Sequence, residues 1–396
     1  MKAFTTLASI ALCSATAISS VRADCHDLML NIPVNGTNYR LDILRVDSNT
    51  DAIDLVVDID RWTSQNITER ILGEVNISAT FSIYAQLCFP EAAKDKHIVQ
   101  ILSHGGVFDH RYWDSQLDPA QYSYVYAALN AGYTVLNYDR LGNGLSEKPD
   151  AYTVAQAPIE VEVLQVLTEM VRKGTLLSHS AAGYYYSPKL RLPAFDKIVH
   201  VAHSLGSQIT AAFLTKYGNQ SSGAILTGFA FPTKTGPFKA SAFGLEFAAT
   251  NNPELFGDLP SGYVVPATVN NLQNCFFHRY NASDPTGFTE EALAYAESIK
   301  QPLSVGEAVA TRGLLKIGYS PDFTGPLQFY LAEFDFLVCD GDCKGDYDPS
   351  FPPHVYPNAS ALETYIRPGA GHGNVLHKNA SAGYAVSLDF LKRHGL

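Results

Sequence analysis

A buried strand that ends in a serine turn constrains the chain more than any other stretch. Residues 198–202 (IVHVA) form a nearly continuous apolar run typical of a strand, and residues 207–218 (SQITAAFLTKYG) favour a helix. AHSLG (202–206) joins the two and matches G-x-S-x-G except for alanine at its first position. At such a corner the serine hydroxyl is exposed in front of the helix N-terminus. The pattern predicts Ser204 as a nucleophile, the alternative being an ordinary strand end.

Two further candidates follow late predicted strands. A neutral serine hydroxyl is a poor nucleophile and needs a general base. His372 follows the last predicted strand in a glycine-flanked loop that we expect to be flexible, and its titration near neutrality suits proton transfer. Asp335 directly follows the strand-like LQFYLAEF (327–334) and would orient the imidazole. The sequence therefore predicts a triad of Ser204, His372 and Asp335.

Four residues are weaker candidates for the same roles. Ser180 follows a helix end rather than a buried strand, and Glu333 lies two residues before Asp335. We expect His203 to line the pocket or pack in the core, and His377 to face the closing helix.

An oxyanion hole needs two backbone N–H groups that point at the developing negative charge. The residue after the nucleophile, Leu205, is predicted to supply one of them. The HGG turn (104–106) is predicted to supply the other, from Gly106 or, as the alternate, from Val107. The alternative interpretation of HGG is a tight turn without a catalytic role.

Strands and helices alternate along most of the chain, which predicts a mostly parallel sheet covered by helices. Near the N-terminus, Asn35-Gly36 predicts a hairpin turn between two antiparallel strands. Residues 154–174 and 382–394 have helical patterns. Residues 232–326 interrupt the alternation and contain no convincing buried strand, so they are predicted to be an insertion.

Five segments in this chain order resemble the α/β-hydrolase fold: HGG (104–106), YDRLGNGLS (138–146), AHSLG (202–206), Asp335 and GAGHGN (369–374). The likeness is strongest to secreted fungal serine hydrolases of the esterase or lipase type. It implies an α/β core formed by residues 24–231 and 327–396, with a cap inserted after the sixth strand at residues 232–326. The cap aromatics are expected either to pack as core or to line an apolar pocket over Ser204: Phe243, Phe247, Phe256, Phe276 and Phe277.

The first residues of the chain predict export. Residues 1–23 have a basic start, an apolar centre and a Val-Arg-Ala end, which is typical of a signal peptide cleaved near Ala23. No later apolar run is long enough to span a bilayer, so we expect no stable membrane insertion. Seven N-x-S/T sequons support export and are candidate glycosylation sites: Asn35, Asn66, Asn76, Asn219, Asn281, Asn358 and Asn379.

Five cysteines remain after removal of the signal peptide, an odd number for an oxidising compartment. We predict a disulfide between Cys25 and Cys88, and consider a second between Cys339 and Cys343, which would leave Cys275 free. Sequence spacing alone leaves the other pairings open.

The negative net charge argues against two classes of partner. The net charge is −11 for the whole chain, and the predicted cleavage removes two basic residues and no acid. So acidic a surface argues against nucleic acid and anionic membranes as partners.

Two short patterns suggest cofactors only weakly, so no cofactor or metal is predicted. GNGLS (142–146) lacks the third glycine and the ribose-binding acid of a dinucleotide site. DGDCKGDYD (340–348) has lysine at a position where a calcium loop needs an oxygen ligand, and is predicted to be a solvated acidic loop.

The sequence therefore predicts a secreted serine hydrolase that cleaves an ester or related acyl bond of a small to medium apolar molecule. A natural-product tailoring enzyme on the same scaffold, opening lactones or cleaving or forming C–C bonds, is the first alternative. A catalytically silent binding protein is the second.

Overall fold

The computed structural model describes residues 24–61, 66–91, 97–181, 192, 194–231, 239–278, 287–310 and 313–396. The predicted signal peptide and the sequon at Asn281 lie outside these residues. The strands within them are β1 (Asp24–Leu41), β2 (Ile71–Phe89), β3 (Ile98–Ser103), β4 (Thr134–Tyr138), β5 (Lys197–His203), β6 (Gly223–Thr227), β7 (Leu245–Phe247), β8 (Tyr263–Pro266), β9 (Leu303–Ser304), β10 (Pro326–Ala332) and β11 (Ala361–Arg367).

Eight of these strands form the central sheet, in the order β1-β2-β4-β3-β5-β6-β10-β11. The six strands from β4 to β11 run parallel, whereas β1 and β2 join the edge as an antiparallel pair. The carboxyl ends of the parallel strands therefore meet at one edge, which is where ligands bind in open sheets of this kind.

Helices cover the sheet and also occur in the predicted insertion. In chain order they are α1 (Asn49–Asp60), α2 (Pro119–Tyr122), α3 (Tyr124–Asn130), α4 (Ala157–Lys173), α5 (Leu205–Tyr217), α6 (Lys239–Phe243), α7 (Ala248–Asn251), α8 (Pro253–Phe256), α9 (Val269–Phe276), α10 (Glu290–Ser298), α11 (Val305–Ala310), α12 (Phe336–Cys339), α13 (Cys343–Asp346), α14 (Pro352–Val355) and α15 (Ala380–Arg393). Within the described residues, no helix combines the length and the apolar character needed to cross a membrane.

The inner parallel strands are buried on both faces because successive side chains alternate between two cores, whereas most residues of the edge strand β11 are half-buried. On β3, Val99 and Ile101 pack in the core beneath α4 and α5. Leu102 points to the opposite face and packs in the core that contains residues of α3 and α15. This arrangement confirms the predicted sheet flanked by helices.

The hairpin predicted at Asn35-Gly36 is wrong. β1 runs straight through both residues and pairs with β2, so that Asn35 lies opposite Ser78 and Gly36 opposite Ile77. A Cβ at residue 36 would come within 2.8 Å of the Ile159 side chain on α4. The glycine therefore serves the close approach of a helix to a strand, and not a turn.

Residues 232–326 contain strands that the sequence patterns missed. β7, β8 and β9 form a small antiparallel sheet, and all four residues of β8 are buried. β8 is short and has no alternating pattern, so periodicity could not identify it.

The N-terminal helix α1 packs against the cap segment. Side chains of α1 share a core with cap residues, including Leu55 with Leu245, Val264 and Val305. The division into an α/β core and a cap stays a prediction. Residues from both predicted units nevertheless pack in one hydrophobic cluster.

The predicted disulfide Cys25–Cys88 is present, as is the bond considered between Cys339 and Cys343, and Cys275 is free and buried. Cys25 and Cys88 are register partners on β1 and β2 and lie 63 residues apart in sequence, whereas Cys339 and Cys343 close a loop only four residues long.

Because a disulfide restricts the unfolded chain more when its loop is longer, the two bonds differ in their expected effect. Replacing Cys25 and Cys88 together with alanine should lower the free energy of unfolding by about 2–5 kcal/mol, measured by urea denaturation. The Cys339→Ala/Cys343→Ala variant is the matched control and should lose less. Equal losses in the two variants would contradict the loop-length argument.

Candidate active site

Ser204 lies at a strained corner between β5 and α5. Its backbone has φ 53° and ψ −118°, a left-handed conformation that side-chain-bearing residues rarely adopt. The Ser204 N–H donates to the Thr227 carbonyl at 2.8 Å, which ties the corner to β6. A Cβ at Gly206 would come within 2.5 Å of the Ser103 and His104 carbonyls, so only glycine fits there. The corner thus holds the Ser204 side chain away from the sheet, where it is partly exposed.

The structure brings Ser204, His372 and Asp335 together. The distance between Ser204 Oγ and His372 Nε2 is 2.8 Å, and that between His372 Nδ1 and Asp335 Oδ2 is 2.7 Å. The side chains of His372 and Asp335 are 1% and 0% exposed, so water competes little for their hydrogen bond. Three residues from the ends of β5, β10 and β11 therefore form one hydrogen-bonded chain, in the geometry required of a nucleophile, a base and an orienting acid.

A tight turn after β10 orients the Asp335 carboxylate. Asp335 is the N-cap of α12, and its Oδ1 accepts the Val338 N–H at 2.9 Å, which leaves Oδ2 for His372. The Asp335 carbonyl accepts the N–H groups of Cys339 and Gly341. The Cys339–Cys343 disulfide therefore closes the same turn that holds the acid.

The loop that carries His372 is more constrained than its flanking glycines suggest. The Gly373 N–H donates to the Phe276 carbonyl at 2.8 Å, and the Asn374 N–H donates to the His372 carbonyl at 2.7 Å. The Phe276 ring packs against the imidazole of His372, with ring centroids 5.4 Å apart. The glycines make room for this neighbouring segment, whereas the sequence interpretation ascribed them to flexibility.

His104 and Arg140 hold the HGG turn. The Arg140 backbone N–H donates to His104 Nε2 at 2.9 Å, so the proton of this imidazole must lie on Nδ1. His104 Nδ1 then donates to the Gly105 carbonyl at 2.8 Å, and Arg140 Nη2 lies 3.4 Å from the same oxygen. These contacts fix the Gly105 peptide next to Gly106, one of the predicted oxyanion donors.

The two residues predicted to supply the oxyanion donors, Gly106 and Leu205, are neighbours in space. A Cβ at Gly106 would lie 3.8 Å from the Leu205 side chain. Leu205 is the first residue of α5, where N–H groups have no partner within the helix. The alternate, Val107, has φ 61°, and its carbonyl accepts the Gln301 N–H at 2.9 Å. The assignment of the donors stays a prediction.

A buried ion cluster anchors Arg140. Its guanidinium is 0% exposed and bonds Glu160 on α4 at 2.8 Å and Glu307 on α11. Burial raises the pKa of Glu160 well above its ordinary value, and the neighbouring Glu307 adds to the effect. Two carboxyl groups thus share one buried cation. Glu307 belongs to residues 232–326, so this segment is bonded to Arg140, which in turn contacts the HGG turn.

Three of the weaker candidates make other contacts and do not join the chain of Ser204, His372 and Asp335. Glu333 bonds Lys344 and accepts the Gly369 N–H at 3.0 Å. Ser180 forms an isolated bridge with Leu30 on β1. His377 is buried and bonds the backbone on both sides of His372, whereas the sequence predicted that it faces the closing helix.

His203 packs beneath the site, as expected. Its Nδ1 lies 3.0 Å from Thr227 Oγ1, its ring stacks on Tyr112 at 4.5 Å, and it lies 4.7 Å from the His372 ring. Gly228, which sequence reasoning missed, lies against both imidazoles, since a Cβ there would be 3.1 Å from His372 Cε1.

The cap aromatics divide into two groups. Phe276 contacts His372, and Phe243 contacts Phe276 at 5.9 Å. Phe247, Phe256 and Phe277 pack instead in other clusters or, for Phe277, against His377. Phe276 thus packs against the His372 ring as a buried core residue, and Phe243 reaches the site only through Phe276.

One cluster among the described residues has the donor atoms of a metal site. The donor atoms of Asp109, His110 and Asp139 lie within 4.8 Å of one another. Asp109 is paired with Arg111, while Asp139 accepts from His110 Nδ1 at 2.7 Å and from the Leu145 N–H. These oxygens already have donors, so the cluster forms an internal polar network beside the HGG turn.

Known proteins share the fold of this chain. The sequence model of the alpha/beta hydrolase family matches residues 100–385. No curated protein sequence matches the chain. Among solved structures, a thermophilic esterase from Thermogutta terrifontis has a TM-score of 0.50 and 15% identity, over 80% of this chain and 95% of the esterase. An esterase from Exiguobacterium antarcticum has a TM-score of 0.50 and 13% identity, over 79% and 96%. An enol-lactonase from Burkholderia xenovorans has a TM-score of 0.50 and 14% identity, over 79% and 97%. At these identities the likeness shows the fold, and it confirms the predicted α/β-hydrolase architecture.

Buried histidines make stability depend on pH. Burial lowers the pKa of His104, His200 and His377 to about 3, and that of His203 well below its ordinary value. The unfolded chain takes up these protons as the pH falls through about 6.5 and the folded chain does not, so each histidine should remove about 1.4 kcal/mol of stability per pH unit below that value. Urea denaturation between pH 7.5 and 5 measures this slope.

The His200→Leu variant tests the origin of the slope, because His200 bonds only Thr168 and Ser221 side chains in the described structure, away from the candidate site. Its slope should be smaller by about one proton. An unchanged slope would show that burial of His200 does not exclude a proton.

Proposed function

Because the chain belongs to the alpha/beta hydrolase family, we propose that it is a secreted serine hydrolase that cleaves an ester or related acyl bond of a small to medium apolar substrate. The hydrogen-bonded chain from Ser204 Oγ through His372 to Asp335 Oδ2, at 2.8 and 2.7 Å, is the observation that carries this proposal. It links a poor nucleophile to a base within proton-transfer distance.

In the proposed first step, Ser204 Oγ attacks the acyl carbon while His372 Nε2 accepts the hydroxyl proton. Asp335 keeps the other proton of the ring on Nδ1 and stabilises the imidazolium that forms. The same imidazolium then gives its proton to the leaving group, and the acyl-enzyme remains on Ser204.

The N–H groups of Leu205 and Gly106 are proposed to stabilise the tetrahedral intermediate. Loss of one such donor typically costs roughly 3–4 kcal/mol of transition-state stabilisation. Deacylation repeats the sequence with water as nucleophile and His372 as base. Residues of this chain carry every proposed step, and no cofactor takes part.

Partial exposure of Ser204 and the apolar side chains beside it support the substrate class. Leu303 from the cap lies 3.8 Å from the position of a Cβ on Gly106, next to Leu205. Phe276 packs against the His372 ring, and Phe243 packs against Phe276, so the surroundings of the base are apolar. An acyl group without charge is favoured in such surroundings, because burying an unpaired charge is costly.

Export is the second part of the proposal, and it includes the likeness of the motifs to secreted fungal hydrolases. Two disulfides in the described structure support it, since such bonds persist in oxidising compartments. All six sequons within the described residues have an exposed asparagine: Asn35, Asn66, Asn76, Asn219, Asn358 and Asn379.

A fluorophosphonate probe should label Ser204 in the wild-type protein, and Ser204→Ala should abolish both labelling and turnover of short aryl esters. His372→Gln should reduce kcat by a factor of about a thousand or more, because it removes the base and leaves Ser204 in place. Steady-state kinetics and peptide mapping of the labelled protein measure these effects.

Retention of esterase activity in Ser204→Ala would refute the proposed nucleophile. Lactones and activated C–C substrates in the same screen separate the tailoring reactions from simple ester hydrolysis. A folded wild-type protein that the probe does not label would favour the silent binding protein.

Expression of the full chain in a eukaryotic host tests export. The protein should appear in the medium with Asp24 as its first residue, and glycosidase treatment should reduce its mass. Protein sequencing and mass spectrometry measure both. Retention inside the cell with residues 1–23 attached would contradict this part of the proposal.

A further inference from the structure

His377 lies five residues after His372 and bonds the backbone on both sides of it. Its Nε2 accepts the Gly371 N–H at 3.0 Å, and its Nδ1 lies 3.0 Å from the Gly373 carbonyl. The two contacts bracket the peptide units that position the His372 side chain. The ring is 1% exposed, so water does not replace either partner readily.

The contacts of His377 allow only one protonation state. Backbone N–H groups can only donate, so Nε2 must be the unprotonated nitrogen, and Nδ1 carries the proton that it donates to the Gly373 carbonyl. Burial lowers the pKa of His377 to about 3, with Arg367 and His278 as the nearby groups that add to the effect. A neutral ring is therefore maintained over the pH range in which a serine hydrolase acts.

The same ring connects the loop to the cap. Nε2 also accepts the His278 N–H at 3.3 Å, and the ring stacks on Phe277 with centroids 5.5 Å apart. A Cβ at Gly371 would lie 2.9 Å from the Phe276 carbonyl and 3.1 Å from the His278 nitrogen. Residues 276–278 and 371–373 are thus two closely packed backbone segments with His377 bonded to both.

Arg367, at the end of β11, fixes His377 itself. Its guanidinium donates to the His377 carbonyl at 3.2 Å, and also to the carbonyls of Asn374 and Lys378. Arg367 is 4% exposed, so these bonds form inside the protein. The bracket around His372 is therefore anchored to the central sheet.

We propose that His377 is a positioning residue, which holds the backbone on both sides of His372 so that the base stays aligned between Ser204 and Asp335. This inference rests on the proposed function, since it assigns a role to His377 in supporting the base. Displacement of a catalytic group by about 1 Å can reduce the rate roughly a hundredfold, so loss of the bracket should act on kcat.

Two substitutions of His377 separate the effects of its hydrogen bonds to Gly371 and Gly373. His377→Leu removes both, and should lower kcat and the rate of fluorophosphonate labelling of the folded protein by about 10–100-fold, with KM changed less than about twofold. His377→Gln can still accept the Gly371 N–H through Oε1, but its NH2 group is not held at the position from which Nδ1 donates to the Gly373 carbonyl. Its kcat should fall by about 3–10-fold, a partial rescue relative to leucine.

His200→Leu is the matched control, because His200 is also a fully buried, neutral histidine but bonds the side chains of Thr168 and Ser221. It should lower stability while kcat and the labelling rate stay within about twofold of wild type. An equal fall in kcat in His200→Leu and His377→Leu would reduce His377 to a structural residue. If His377→Leu does not fold, wild-type kcat in His377→Gln overturns the proposal.

A second readout does not depend on activity. The proton between His372 Nδ1 and Asp335 should give a downfield NMR signal, assigned by its loss in His372→Gln. His377→Leu, or His377→Gln if leucine prevents folding, should shift or broaden this signal, and His200→Leu should not. An unlabelled wild-type protein refutes the proposed function, whereas an unchanged signal in the His377 variants refutes the positioning role.

Discussion

The hydrogen bond between His372 Nδ1 and Asp335 Oδ2 is the interaction on which the arrangement of the site depends. It joins loops that follow two different strands, and it is useful only if both loops keep their places to within a fraction of an ångström. Each loop has its own local support. The acid is the N-cap of α12 in a turn closed by a disulfide, and the base is bracketed by His377. The serine is held at a strained corner, and only glycine fits at position 206, two residues further on. Three local structures, each with a different physical basis, therefore hold the hydrogen-bonded chain from Ser204 through His372 to Asp335.

Neutral histidines have a recurrent structural role around this path. An imidazole with one donor and one acceptor nitrogen can cross-link two backbone groups of opposite polarity, provided that it stays unprotonated. His104 bonds the Arg140 N–H and the Gly105 carbonyl, and His377 bonds the Gly371 N–H and the Gly373 carbonyl. Both are buried, and burial lowers the pKa of both to about 3. The same side chain thus serves as fixed support at these positions and as the proposed proton carrier at His372.

The sequence predicted those features of the site that depend on local chemistry. Ser204, Asp335 and His372 lie within five residues of the ends of β5, β10 and β11, so chain order and turn composition were enough to select them. The hairpin at Asn35-Gly36 was predicted wrongly because local turn propensity gave no information about Ile159, which packs on that glycine from another helix. Arg140 and Glu307 are 167 residues apart, and nothing in their neighbours along the chain indicates a shared ion cluster. The role of His377 depends in the same way on residues 276–278, which come from the cap.

These cap contacts limit how the site can open. Glu307 bonds the arginine that supports the HGG turn, the Gln301 N–H donates to the Val107 carbonyl, and Phe276 bonds Gly373 beside the base. Movement of the whole cap away from the sheet would break buried polar contacts at both sides of Ser204, and buried groups left without partners cost about 1–3 kcal/mol each, more where they are charged. Movement of the whole segment is therefore costly, and Ser204 is already partly exposed with these contacts in place. The part of the cap that contacts the HGG turn and the His372 loop belongs, in energetic terms, to the active-site scaffold.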